Sequence, residues 1–290
     1  MMDQAAKLRK LTGKPIFNGY KSLVGPRIIA ITSGKGGVGK TNLAVNISLT
    51  LAQKGKMVVV LDADMGMANA EVLLDLTPRF TLYEVIHGLK TLDEVMIQGP
   101  YGLNIISGGS GFQELADLDG MRREALLSSL ARLDKQADFI IIDTGAGISK
   151  SVLGFVAAAQ EVIVVITPEP TSITDAYALI KVLSKYKTHS EVGLIVNRVT
   201  GEKEATQAAN KIKAVAAKFL DIKVKIIGTV MEDKAIKQAV AAQKPFVLMQ
   251  PWAVASKNID SISKALINKC EHTPQRGMST FITKLARLFG

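Results

Sequence analysis

The stretch 33–41, reading SGKGGVGKT, constrains this chain more than any other. It follows a short isoleucine-rich run, 27–32 (RIIAIT), of the composition a buried strand needs. It precedes 42–54, where apolar residues recur at helical spacing. Strand, glycine-rich loop and helix, in that order, form the context that makes Gly-x-x-x-x-Gly-Lys-Thr a phosphate-binding loop. Gly34, Gly36, Gly37 and Gly39 leave the backbone around Val38 free to curl with its N–H groups inward. The helix N-terminus that follows, Lys40-Thr41-Asn42, adds partial positive charge at the same place. Lys40 would then reach the outer phosphates of a nucleotide, and the Thr41 hydroxyl would ligate Mg²⁺.

After Pro26, strand candidates at 28–32, 57–61, 103–107, 139–142, 162–167, 192–196 and 224–229 alternate with helical patterns such as 42–54, 121–136, 149–159, 171–187 and 203–219. The alternation predicts an α/β fold, a mostly parallel twisted sheet with helices on both faces. In such sheets ligands gather beyond the C-terminal ends of strands. Candidate 57–61 runs into Asp62-Ala63-Asp64-Met65-Gly66. Two carboxylates there are costly without a cation or donor partners, and either a magnesium–nucleotide site or a capping pair for a helix starting near Asn69 accounts for them. Candidate 139–142 ends in Asp143, followed by Thr144-Gly145-Ala146-Gly147. This is where a phosphate-loop enzyme carries its magnesium-associated aspartate.

The loop holds a second lysine, Lys35, in the form Lys-Gly-Gly-x-Gly-Lys-Thr. With the two acidic segments, it resembles the deviant phosphate loop of the MinD/ParA ATPases. The resemblance implies a phosphate-loop NTPase fold that binds ATP or ADP with Mg²⁺ and forms a homodimer with ATP. It implies that Lys35 reaches across the dimer to the other subunit's nucleotide and works with Lys40 and Asp64 in catalysis. Asp64 would position and polarise the attacking water. Thr41, Asp62 and Asp143 would serve the magnesium. The nucleotide would also be held by Asn197 and Arg198, and by Met231, Glu232 and Asp233, although the family usually has proline where Met231 stands. The segment 168–172 (PEPTS) and Asp175 would border the dimer interface.

Composition separates the ends from the body. The net charge is +10, of which residues 1–27 hold +5 (Lys7, Arg9, Lys10, Lys14, Lys21 and Arg27 against Asp3) and residues 274–290 hold +3 (Arg276, Lys284 and Arg287), leaving +2 for the remainder. A nearly balanced body weakens a nucleic-acid reading. Three parts are expected: a flexible arm, 1–27, broken by Gly13, Pro15, Gly19, Gly25 and Pro26; an ATPase domain, 28–273; and a helix within 274–290, set off by Pro274 and Gly277 and free to move independently. In that helix Phe281, Ile282, Leu285, Leu288 and Phe289 share one face, flanked by Lys284 and Arg287. Such a face suits an anionic membrane surface and is similar to the membrane-targeting helix of MinD. The alternative is a helix packed on the body.

In the arm, Asp3, Gln4, Leu8 and Arg9 match Asp-Gln-Ala-x-x-Leu-Arg. That match narrows the resemblance to the flagellar branch of the MinD-like ATPases, which controls flagellar number and placement. The branch implies the GTPase FlhF as the arm's partner, with flagellar switch-complex proteins and a flagellar transcription activator as further partners.

No apolar run is long enough to cross a bilayer. The basic start lacks the apolar middle of a signal peptide. Cys270, the single cysteine, excludes an intramolecular disulfide and reads as a half-buried helix residue. His87, His189 and His272 lie apart, with no carboxylate cluster expected around them. These features point to a cytosolic protein, and the resemblance implies that it is peripheral on the inner face of the cell membrane when ATP-bound. A DNA-binding partition ATPase of the ParA type shares every nucleotide motif and is the rival reading. A nitrogenase-type reductase would need bridging cysteines that are absent, and a ligase would need a substrate pocket that the sequence does not show.

Overall fold

Eight strands form one sheet in the computed structural model, in the order β3-β4-β2-β5-β1-β6-β7-β8. They are β1 (Arg27–Ser33), β2 (Val58–Ala63), β3 (Ile97–Gln98), β4 (Asn104–Ser107), β5 (Phe139–Ala146), β6 (Glu161–Ile166), β7 (Glu191–Val199) and β8 (Lys223–Met231). The structure describes residues 25–64, 69–109, 111–114, 119–269 and 277–289. All seven expected strands are present. The eighth, β3, pairs antiparallel with β4 through Ile97↔Ile105 and Gln98↔Asn104, and every other pairing is parallel.

The loop-bearing strand β1 lies between β5 and β6, and all of its residues are buried. Its period-2 alternation divides the core. Ile28 and Ala30 pack with the helices Gly120–Ala131, Lys150–Ala158, Pro170–Lys185 and Glu202–Phe219. Ile29 and Ile31 face the helices Lys40–Gln53 and Val254–Lys269 on the other side. The chain leaves β1 toward β2 on one side and reaches β6 on the other. The C-terminal end of β1 is therefore a topological switch point, where this class of sheet opens a crevice for ligands.

The helix expected at 121–136 stops at Ala131 and tightens into a 3₁₀ turn, Arg132–Lys135. The C-terminal helix begins at Gly277 and runs to Phe289. It does not stand apart from the body. Met278, Phe281, Ile282 and Leu285 are all buried in the first core layer, against helices Gly120–Ala131 and Lys150–Ala158. Independent movement was the expectation; full burial of each of these side chains favours docking by about 1.5–3 kcal/mol. The side chains of Arg287, Leu288 and Phe289, and the residues Asp3, Gln4, Leu8, Arg9, Met65, Gly66, Cys270 and His272, lie outside what is described.

Candidate nucleotide site

The loop between β1 and the helix Lys40–Gln53 is built from residues that leave backbone donors exposed. Gly39, at φ 95°, precedes the helix and caps it with no side chain, and no acidic residue stands in the first turn. Gly37 also has positive φ, and a Cβ at Gly36 or Gly37 would meet nothing within 4 Å. Gly34 and Gly39 are required for space instead. A Cβ on Gly34 would lie 2.2 Å from the Asp175 carbonyl carbon, and one on Gly39 would lie 2.5 Å from Asn197 Nδ2. Asp175 thus packs its backbone on the loop, which places the start of its helix beside the cradle. The Ser33 hydroxyl donates to the Lys35 carbonyl at 2.7 Å, fixing the loop's entry.

Two buried aspartates close the site. Asp143 is fully buried within β5, which runs three residues beyond it, and neither of its oxygens has a hydrogen bond of normal geometry. Burial pushes its pKa up to about 7, against the Thr41 hydroxyl and the Lys40 ammonium, which lower it. Asp62, 3% exposed at the end of β2, rises to about 8 through burial, then through the neighbouring charges of Asp143 and Glu71. Asp62 also accepts the backbone N–H groups of Asp64 (3.0 Å) and Ala70 (3.3 Å). The Asp62 carboxylate therefore anchors the next segment, as the capping alternative expects, and it also adjoins Asp143. Asp64 itself lies beside Gly145, whose Cβ would stand 3.6 Å from Asp64 Oδ1. Gly147 N–H donates to the Ser33 carbonyl at 2.8 Å, tying the segment after β5 to the phosphate loop.

Lys40, Thr41, Asp62, Asp64 and Asp143 converge, as their positions in the sequence predict. The Thr41 hydroxyl beside the buried carboxylates of Asp62 and Asp143 is an all-oxygen set of the kind a hard divalent cation takes. Glu71 was not legible in the sequence. It is 1% exposed on the short helix Asn69–Val72, and both its oxygens lack a partner.

The second lysine is held by the neighbouring helix. Lys35 Nζ bonds Glu169 Oε2 and Thr171 Oγ1, each at 3.0 Å, at the start of helix Pro170–Lys185.

Beside the loop lies a cleft of about 490 Å³ lined by Gly39, Asn42, Asn197, Arg198, Glu232 and Asp233, with Leu43, Ile236, Val240 and Phe246 as apolar walls. The apolar walls were missed, because they read as ordinary helix and core residues. Asn197 is 4% exposed. Its Nδ2 donates to the Val38 carbonyl at 2.8 Å, and its Oδ1 has no partner. One N–H of the amide therefore supports the loop, and Oδ1 is left without a partner. Asp233 caps the next helix by accepting from Ala235 (2.9 Å), and Glu232 pairs with Lys237 at 3.2 Å, so neither carboxylate is idle. Met231 ends β8 with its N–H on Asn258 Oδ1 at 3.1 Å, a bond that proline could not make.

Two histidines are engaged away from the site. His87 pairs with Glu114 at 2.9 Å, a single carboxylate. His189 bonds the Ala159 carbonyl, and burial lowers its pKa. Among the described residues no helix is long and apolar enough to cross a membrane.

Comparison with known proteins agrees with this geometry. Residues 26–196 match the AAA_31 family, described as an AAA domain. The antiactivator FleN of Pseudomonas aeruginosa is 40% identical over 82% of this chain and 85% of its own length. The flagellum site-determining protein YlxH of Helicobacter pylori is 33% identical over the whole of both chains. Among solved structures, the MinD cell division protein of Aquifex aeolicus superposes with a TM-score of 0.68 at 27% identity, covering 86% of this chain and 99% of that one.

Proposed function

The chain belongs to the MinD/ParA-type AAA_31 family of ATPases, and from that premise we propose that it is an ATP-dependent dimerising switch that visits the membrane and regulates flagellar number and placement. ATP and Mg²⁺ supply the reactive γ-phosphate and the divalent charge. The residues of the chain then divide the work. Backbone N–H groups of the glycine loop and Lys40 neutralise phosphate charge, and Thr41, Asp143 and Asp62 would hold the metal. Asp64 orients a water for in-line attack; catalysis of this type is mainly positioning and charge stabilisation. Asn197 Oδ1 and the apolar cleft take the adenine, bordered by Arg198 and the backbone of 231–233.

The observation that carries the switch is Lys35. Its ammonium is half-exposed and held only by an exposed carboxylate and a hydroxyl, bonds that water screens and that a phosphate of a partner's nucleotide can replace. The C-terminal helix is docked in this structure, so membrane binding requires its release. Phe281→Glu and Leu285→Glu would therefore disturb docking as well as insertion. Once released on a dimer, two copies bind together, with avidity raised by about 10²–10⁴ over one. Lys284 adds about 1 kcal/mol near an anionic surface. The relatives' names, antiactivator and flagellum site-determining protein, support the flagellar assignment. The arm match supports FlhF as partner, with switch-complex proteins and a transcription activator as further partners.

Co-sedimentation with anionic liposomes and, separately, with DNA tests the reading. The wild type is expected to pellet with liposomes only when ATP is present, and Lys35→Ala to bind ATP yet stay in solution. Pelleting with DNA instead would favour the partition ATPase. Deletion of 1–11 should leave ATP hydrolysis intact and remove stimulation of the FlhF GTPase.

A further inference from the structure

The two ends of the described chain meet. Gly25, where the N-terminal arm enters the fold, lies against Gly277, where the C-terminal helix begins. A Cβ on Gly25 would stand 2.6 Å from Gly277 Cα and 3.3 Å from Asp134 Oδ1. Gly277 has φ +61°, and a Cβ there would stand 2.9 Å from the same Asp134 oxygen. Asp134 sits in the 3₁₀ turn before β5 and accepts the Met278 N–H. Its carboxylate thus faces the positive end of the C-terminal helix. Three segments far apart in sequence therefore share one point, with no room for a side chain on either glycine.

The root of the arm is otherwise well fixed. Arg27 N–H donates to the Asp138 carbonyl at 2.9 Å. The Pro26 carbonyl accepts from Gln160 at 3.4 Å, just beyond the helix on which the C-terminal helix packs. A displacement of Gly25 is thus felt at Gly277 and Asp134 before it is felt in the sheet.

We propose that the arm root and the first turn of the C-terminal helix form a single junction around Asp134, so that the position of the arm and the docking of the helix are coupled. A partner that draws the arm away removes close packing from Gly277 and loosens the cap on Met278. By linkage, departure of the helix loosens the arm to the same degree. The junction stands on the geometry alone. What it accomplishes, joining partner binding by the arm to membrane release of the helix, rests on the tail roles proposed above.

The test uses the full chain without nucleotide. Gly25→Ala adds one methyl at the contact, and Gly19→Ala makes the same change farther out along the arm. Hydrogen exchange of amides in 278–286 should accelerate at least about fivefold in Gly25→Ala, the lower end of usual coupling strengths. Gly19→Ala should not change it, and amides of Lys40–Gln53 should be unaffected in both. Wild-type exchange in the helix of Gly25→Ala, or equal acceleration by Gly19→Ala, overturns the junction. Asp134→Ala, which adds no bulk, reads the coupling in the other direction and decides the matter if Gly25→Ala does not fold. Tryptic cleavage after Lys21 should quicken several-fold together with exchange in the helix. Faster exchange with unchanged cleavage sinks the proposal. Vesicles of phosphatidylcholine and phosphatidylglycerol separate the two readings. Faster exchange in the helix of Gly25→Ala without any gain in vesicle pelleting keeps the junction and removes the membrane role.

Discussion

The two ends of the sheet bury charge in opposite ways. At the C-terminal ends of the strands, burial drives the pKa values of Asp143 and Asp62 up, and neither Asp143 nor Glu71 makes a hydrogen bond of normal geometry. At the N-terminal ends, Arg27 is fully buried yet donates to both oxygens of Glu161, at 2.6 and 3.0 Å, and to the Leu266 carbonyl. Its guanidinium also lies 5.2 Å from the centre of the Phe139 ring. Lys269 adds bonds to Glu161 at 3.0 Å and Glu191 at 3.3 Å. Burial alone would push the Glu161 pKa up, but Arg27 and Lys269 hold it below the ordinary value. Depth is the same and the balance differs. The completed pairs serve the architecture, and the incomplete carboxylates at the other end leave polar capacity that a ligand can take up.

The largest test of that contrast lies at the paired end. Arg27→Met strands Glu161 and the Leu266 carbonyl and should cost about 3–5 kcal/mol of stability, as breaking a buried pair does. Urea melts measure it, while ATP turnover per folded molecule stays at the wild-type level. A variant that melts normally but loses turnover would reverse the assignment of the two ends.

Asp143→Asn should do the opposite. It removes a buried charge whose desolvation outweighs its contacts with Thr41 and Lys40, so the nucleotide-free protein keeps or gains stability, while magnesium-dependent hydrolysis falls by about 10–100-fold. Thermal melts and a phosphate-release assay read the two effects separately. A clear loss of nucleotide-free stability would place Asp143 among the structural pairs.

A pH effect of smaller size follows from the same carboxylates. Their folded pKa values, about 8 for Asp62 and about 7 for Asp143, lie above the ordinary 3.8. Between those limits the folded state holds more protons than the unfolded one, so the stability of the nucleotide-free protein is full below 3.8 and declines as pH rises through 7–8. Melts across this range should show the decline, flattened in Asp143→Asn and opposed by Mg²⁺ with nucleotide. A slope identical in wild type and Asp143→Asn would remove Asp143 as its source.

The smallest effect belongs to Lys35, whose pair with Glu169 is exposed and worth about 0.2–1 kcal/mol. Glu169→Gln should free the lysine and tighten the ATP-dependent dimer by up to about fivefold, measured by sedimentation with a slowly hydrolysed ATP analogue. Weaker association would mean that Glu169 also contacts the partner.

The phosphate loop, the central strands and the two aspartates were legible in the sequence because their chemistry is local: glycines that must curl, isoleucines that must be buried, carboxylates at strand ends. What was illegible depends on remote partners. The apolar face of the C-terminal helix fits a membrane and a protein groove equally well, and only the distant Asp134 and the surface it joins decide for docking. Glu71 belongs to no motif, and its burial follows from the packing of a helix four residues long. The pair Ile97–Gln98 is too short to register as a strand. The resemblance implies a base contact for Asn197, but its bond to Val38 spans more than 150 residues and no spacing rule anticipates it.

That bond has a consequence for how the side chain can meet anything that enters the cleft. Because one N–H of Nδ2 is committed to the Val38 carbonyl, the Asn197 amide cannot flip without setting two carbonyl oxygens against each other. What it keeps to offer is the Oδ1 acceptor and the second N–H of Nδ2. The order in which acceptor and donor face the cleft is in this way written into the phosphate loop itself, and a change at Val38 or Gly39 that lets the amide turn would reverse it.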